Sequence, residues 1–303
     1  ALGAAATILP HARIMGANDD VRVAIIGVGN KGSQHVGQFK KVPGVRVVAL
    51  CDPDPARLKD AVEKHFKDAE QPKTYSEVRR VLDDKDVDVV CVASPNHWHA
   101  LATVWACQAG KDVYTEKPFS HDFHEGPVAI AAGKKYGRVI QVGTQSRSDA
   151  GLAALREYIA QGQLGELEYV RGIYYSKRDP IGKVLGPQQP PPGTNYSEWL
   201  GPAPDEPLMR TKFHYDWHWQ WQYGNGDLGN NMVHMLDIAN WMTNNTEFPK
   251  RVLSVGGRFN WDDDGVTPNT QTVLYDFGDG KVPFLCEVRN LPSETGAEQG
   301  DNI

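Results

Sequence analysis

The chain has 303 residues, a length that favours two domains with cores of their own, and 40% hydrophobic and 23% charged residues with a formal net charge of −6. That balance excludes a disordered, collagenous or coiled-coil protein, and the negative charge without a Lys or Arg run points away from nucleic acid as a partner. Cys51, Cys91, Cys107 and Cys286 stand far apart in apolar surroundings without C-x-x-C spacing, so they read as core residues and no metal site is expected.

The first segment, ALGAAATILPHARIMGA, has the small apolar residues of an export-signal core followed by processing positions. It falls short of the roughly 20 apolar residues that cross a bilayer, so no membrane helix is expected. Residues 1–18 are expected to be either a signal remnant, which makes the protein periplasmic or otherwise exported, or a flexible N-terminus on a cytoplasmic one.

From Val21 strands and helices alternate. VRVAIIG, a glycine turn, a helix to Lys41, a turn at Pro43-Gly44 and the strand VRVVAL before Cys51-Asp52 make one βαβ unit. Gly27, Gly29 and Gly32 form G-x-G-x-x-G, a spacing that turns the chain tightly, lets backbone approach a pyrophosphate and seats the helix on the strand. The helix N-terminus then faces the phosphates, with Asn30 and Lys31 inside the turn as further cofactor contacts. Asp52, ending the second strand, is placed to accept ribose hydroxyls and repel a 2′-phosphate, which selects NAD; Arg57 keeps NADP open.

The alternation continues through a helix at 76–82, a strand at 87–94, a helix at 99–109, a strand at 112–116, a helix at 123–136 and a strand at 138–143. Apolar runs without alternation, separated by helices, predict an α/β fold: a doubly wound parallel Rossmann sheet over residues 19–147, with ligands beyond the carboxyl ends of its strands.

Those ends carry Ser94-Pro95-Asn96-His97-Trp98-His99 and Glu116-Lys117-Pro118. G-x-G-x-x-G with a distal Asp, then P-N-H-x-H, then E-K-P, resembles the glucose-fructose oxidoreductase and inositol dehydrogenase family, Gfo/Idh/MocA, across essentially the whole chain from Val21. The resemblance implies that Pro95, Asn96 and His99, with Ser94 before them, line the nicotinamide-ribose side of a cofactor cleft. It also implies that Glu116 binds that ribose and that Lys117 points at the substrate hydroxyl. On physical grounds alone, a Lys beside a nicotinamide supplies a proton donor and a charge that stabilises a developing alkoxide. His97 reads as a structural or exposed histidine. Gln145 falls where the family's chain runs along the cofactor and is a nicotinamide contact by that likeness; Arg147 is either an interdomain salt bridge or a substrate contact.

A helix at 151–163 and a strand at 167–176 open a second, α+β domain over 148–303, with later strands at 251–260, 270–277 and 281–290; Gly278-Asp279-Gly280 joins the last two as a hairpin. The intervening GPQQPPPGTNYSEWLGPAP is predicted to run extended and without helix. Next come Trp217, Trp219, Trp221 and Trp241 within a short span. Aromatic faces stack on sugar rings, so a carbohydrate pocket with Trp217 as a contact is expected, while Trp241 reads as core.

His234 lies in the predicted helix NNMVHMLDIANW and corresponds by resemblance to the histidine of the family's Asp-x-x-x-His pair, with Asn230 where the Asp belongs. Four residues apart, both side chains share one helical face. An amide takes no proton, so His234 acts with weaker electrostatic support; Asp227 is expected as a helix N-cap and Asp237 as the group that orients the His234 ring.

The resemblance further implies a sheet that continues past GAEQGDNI, so the second domain is expected to be incomplete at its C-terminus and to pack its open sheet on another subunit as a homo-oligomer. The expected function is an NAD(P)-dependent oxidoreductase acting on a secondary alcohol of a sugar, polyol or glycoside. Catalysis falls to Lys117, His234 and Asn230, and substrate binding to these with Arg147 and Trp217. The alternatives are a glycosidase or lyase that retains NAD through transient oxidation to a keto sugar, and a non-catalytic dinucleotide-binding protein.

Overall fold

The computed structural model describes residues 20–290 and the backbone of 300–302; the expected signal segment and the chain end after 302 lie outside the described residues. The first sheet is built from β1 (Val21–Ile26), α1 (Asn30–Phe39), β2 (Val45–Cys51), α2 (Pro55–Phe66), β3 (Lys73–Tyr75), α3 (Val78–Asp83), β4 (Val89–Val92), α4 (Asn96–Gln108), β5 (Asp112–Thr115), α5 (Glu125–Tyr136) and β6 (Ile140–Val142). Its six strands are all parallel in the order β3-β2-β1-β4-β5-β6. The winding direction reverses between β1 and β4, which opens a crevice at their carboxyl ends.

Uninterrupted apolar strands follow from burial on both faces. Ala24 and Ile26 pack with Val90, Val92, Trp98 and Ala102 on one side, while Val23 and Ile25 pack with Val36, Leu50 and Phe66 on the other. All four cysteines are free and buried, three of them in these layers.

The second sheet follows α6 (Ala150–Ala160) and comprises β7 (Val170–Tyr175), β8 (Arg251–Gly257), β9 (Thr270–Asp276), β10 (Phe284–Arg289) and β11 (Gly300–Asn302); α7 (Tyr196–Leu200) and α8 (Val233–Met242) lie between β7 and β8. The strand order is β11-β7-β10-β9-β8, with β7 and β10 parallel and the other pairs antiparallel. One face carries α8: Met235 and the preceding Met232 pack on Val273, Cys286 and Val288. Gly172 on β7 permits this approach, since a Cβ there would lie 3.0 Å from the Met235 Cβ. Val252, Leu253 and Val255 of β8 are exposed. No helix among the described residues is long and apolar enough to cross a membrane.

Three local expectations change. Helix α4 starts at Asn96 rather than 99, with Pro95 as its N-cap, so the P-N-H-W-H motif opens the helix instead of preceding it. The Pro-rich crossing holds α7, because the prolines end at Pro192 and resume at Pro202 while the Asn195 side chain caps the intervening turn by accepting from Glu198 N at 3.3 Å. Strand β3 is only three residues long, too short to leave a periodic signature.

Candidate active site

The glycines divide by role. Gly27 has φ +81°, and a Cβ on it would lie 2.7 Å from Ser94 N; one on Gly32 would lie 1.8 Å from the Gly27 carbonyl oxygen. Both are demanded by the packing of α1 against β1 and β4. A Cβ on Gly29 would meet nothing within 4 Å, so the space over the start of α1 is open. That first turn has no side-chain cap and no acidic residue, which leaves its N–H groups free for an anion.

Asp52 follows β2 and is buried; Oδ2 accepts from Val28 N at 3.0 Å and Oδ1 from Asp54 N at 3.0 Å. Burial pushes its carboxyl up to about 6 despite these two bonds and the nearby Arg57 guanidinium. Each oxygen keeps a lone pair for a ribose hydroxyl. Asp52 and Arg57 line the same cleft as Gly27, Gly29, Asn30 and Lys31, a space of about 410 Å³ that extends along Ser94, Pro95, Asn96, Glu116 and Gln145 to Lys117, Asn230 and His234.

At the far end Lys117 leaves the sheet after β5 and donates from Nζ to the Asn230 carbonyl at 2.6 Å and to Asn230 Oδ1 at 3.1 Å. Burial lowers its pKa, and the neighbouring cations Lys31 and Arg178 reinforce that against Glu116. Glu116 accepts from His35 Nε2 at 2.7 Å and from Lys117 N at 3.2 Å, with Lys31 Nζ 3.6 Å away. Burial opposes its ionisation, yet His35 and Lys31 hold its carboxyl below the usual range. His234 is half-buried, its Nδ1 has no hydrogen-bond partner among the described residues, and burial and the Lys117 charge both depress its pKa.

Residues 228–232 wind as a π turn ahead of α8, a departure from the plain helical face that relates Asn230 to His234 in the sequence reading. Such turns concentrate at functional sites. Asn230 turns both its oxygens to Lys117 and so links the two domains across the cleft.

Several expectations are corrected here. Of the two roles open to Arg147 the structure shows the interdomain salt bridge and not the substrate contact: its guanidinium holds Asp237 bidentately, Nε to Oδ2 at 2.8 Å and Nη2 to Oδ1 at 2.7 Å, outside the cleft lining, which also takes Asp237 away from the His234 ring. Asp227 makes no side-chain cap; buried, it pairs with Arg178 at 3.0 Å and accepts from Trp219 Nε1 at 3.1 Å. His99 lines the cleft, but both ring nitrogens lie against backbone carbonyls, of Pro118 at 2.6 Å and Ser94 at 2.8 Å, so it braces the site rather than offering a nitrogen to a ligand. Of the four tryptophans only Trp217 lines the cleft; Trp219 is core, Trp221 exposed, and Trp241 half-buried beneath Arg147 and Arg156. Gly32 serves packing alone.

The sequence reading missed the cross-domain seam and His218. His97 is buried with its pKa driven to about 4, and both its Nε2 and the Trp98 Nε1 meet the Trp199 carbonyl, at 3.1 and 3.0 Å. Asn195 N donates to the Pro53 carbonyl at 2.9 Å, and His214 Nε2 to Asp54 Oδ2 at 2.8 Å. Asn96 Nδ2 donates to Asn225 Oδ1 at 3.0 Å. Trp199, His214, Tyr215 and His218 thereby join the cleft wall.

The residues fit a dinucleotide: an open cradle at Gly29, the Asp52 carboxylate beyond β2, and, in the same cleft, a buried Ser94 Oγ without a hydrogen-bond partner among the described residues. Fold and site together define a two-domain, dinucleotide-binding α/β protein. The chain belongs to the Gfo/Idh/MocA oxidoreductase family: residues 21–144 match its NAD-binding Rossmann fold and residues 173–286 its C-terminal alpha/beta domain.

Inositol 2-dehydrogenase from Salmonella typhimurium is 34% identical over 158 residues, 52% of this chain and 46% of the relative. The scyllo-inositol 2-dehydrogenase (NAD(+)) of Bacillus subtilis is 29% identical over 166 residues, 54% of this chain and 47% of that protein. The chain thus spans about half the length of the curated relatives it matches. Among solved structures, the WlbA dehydrogenase of Chromobacterium violaceum, in complex with NADH and UDP-GlcNAcA, shares the fold with a TM-score of 0.71 at 21% identity, over 92% of this chain and 69% of that one.

Proposed function

We propose that this protein is an NAD-dependent dehydrogenase acting on a secondary hydroxyl of a cyclic polyol or sugar. The observation that carries the reading is the Lys117 ammonium, anchored on Asn230 at the end of the glycine-cradled cleft with His234 beside it. The names of the inositol dehydrogenase relatives support the substrate class.

Bound NAD supplies a hydride acceptor. The chain's own residues do the rest. The free N–H groups of α1 and the Asp52 carboxylate hold and orient the dinucleotide. His234, kept neutral by burial and by the Lys117 charge, takes the hydroxyl proton. Lys117 stabilises the oxygen as negative charge grows on it, at a place where burial strengthens every charge interaction.

A second reading, retention of the dinucleotide through a cycle with no net cofactor change, draws support from the segment that roofs the Asp52 end, tied down at Asn195 and His214. The test is to purify the protein, extract bound nucleotide, and follow NADH formation with inositols, sugars and aryl glycosides. NADH formation with a polyol supports the first reading, aryl glycoside cleavage without added NAD supports the second, and neither activity in any of them refutes both.

A further inference from the structure

His218 lies at the reacting end of the cleft, on the turn Asp216–Trp219, and nothing so far gives it a task. Asp216 Oδ2 accepts from Lys212 N at 2.8 Å and from Thr211 Oγ1 at 3.1 Å, and a Cβ on Gly224 would lie 2.7 Å from the His218 Cα. The His218 ring stacks on Trp217 with centroids 3.7 Å apart and planes 19° apart.

Its Nδ1 lies 2.5 Å from the Tyr215 carbonyl oxygen. A carbonyl only accepts, so the proton sits on Nδ1 and Nε2 carries a lone pair. No described residue donates to that lone pair, while Lys117 and Arg178 stand near enough for their charges to act on the ring.

We propose that His218 is a substrate-specificity residue: its Nε2 accepts a hydrogen bond from a second hydroxyl of the polyol, distinct from the one that is oxidised. Burial, with Lys117 and Arg178, takes the ring to about 4 and keeps it neutral. A base that weak serves as an acceptor rather than as the group that removes a proton, which leaves proton transfer to His234. The locked ring accepts without reorganising, so the site selects a diol in which one hydroxyl lies at Lys117 and another at His218. This inference rests on the polyol reading.

The test measures binding of myo-inositol and its monodeoxy analogues to the protein saturated with NADH, by calorimetry, alongside turnover with NAD. His218→Phe keeps the ring stack on Trp217 and removes the acceptor; it is expected to weaken myo-inositol binding about tenfold, while one deoxy analogue binds wild type and variant alike. His218→Gln, which restores an acceptor oxygen, is expected to recover part of the loss, and unchanged NADH affinity verifies the fold of both variants. Equal losses for every analogue, or a drop in kcat with binding intact, would overturn the assignment. Polyol binding with the expected variant pattern but no hydride transfer would uphold His218 and refute the dehydrogenase reading. No polyol binding to wild type would overturn both.

Discussion

Replacing Asn230 with Asp places a carboxylate where an amide oxygen now accepts from the Lys117 ammonium at 3.1 Å. At that separation the attraction amounts to about 1 kcal/mol in a water-like dielectric of ~80 and about 5 kcal/mol at an effective ~20. At about 1.4 kcal/mol per pKa unit, this raises the Lys117 pKa by about one to four units, less whatever the half-buried new carboxylate loses in hydration. The wild-type ammonium starts below its ordinary value of 10.5 because it is buried. If its charge stabilises the substrate oxygen, activity falls as pH rises through its pKa, and Asn230→Asp moves that alkaline limb upward. At neutral pH the variant turns over about tenfold more slowly, because the ammonium is shared with a carboxylate. The assay is kcat/KM across pH 6 to 11 with saturating NAD. An alkaline limb that stays in place would refute the assignment of that limb to Lys117 and its contact with Asn230.

Gly29→Ala is expected to unfold at the wild-type temperature yet bind NADH at least tenfold more weakly, because its methyl enters open space where the pyrophosphate approaches; Gly32→Ala, 1.8 Å from the Gly27 carbonyl, is expected to cost stability first, and calorimetry with NADH titration separates the two. Asp52 has its pKa raised to about 6, so its ribose-accepting carboxylate is progressively protonated below that pH; NADH affinity should fall from pH 7 to pH 5 in wild type and be flat in Asp52→Asn, and a flat wild-type profile would refute the contact. Arg147→Ala removes a half-exposed, bidentate pair with Asp237 and is expected to cost about 0.5–1 kcal/mol in urea unfolding with KM unchanged, whereas a large rise in KM would return Arg147 to the substrate.

The nucleotide half was legible because its signals are local. Glycine spacing, unbroken apolar strands and an acidic residue at a strand end each act within a few residues of their own position, and tertiary packing reinforces them. The second half was less legible because its decisive partners are distant. Asp237 lies three residues from His234, which suggested a helical pair, but Arg147, 90 residues away in sequence, has the geometry that wins. Asp227 has the residue type and place of a cap, yet the half-buried Arg178 and the buried Trp219 claim it. The π turn eludes a periodicity argument that assumes α winding. His218 was hidden among aromatic neighbours, and only the Tyr215 carbonyl, visible in three dimensions, shows which of its nitrogens is free.

The shared Trp199 carbonyl has a consequence for how the molecule could be rebuilt. One oxygen receives both the His97 and the Trp98 ring N–H groups, while Asn195 and His214 grip the loop after β2 and Arg147 pins α8. The two halves are therefore not interchangeable cassettes. A chimera that grafts a foreign substrate domain at the chain crossing near Arg147 would lose the lining of its own nucleotide cleft, unless residues 193–225 and the P-N-H-W-H helix start travelled together. Recombination of this architecture has to respect a seam that runs through the cofactor site, although the sequence places its two sides about a hundred residues apart.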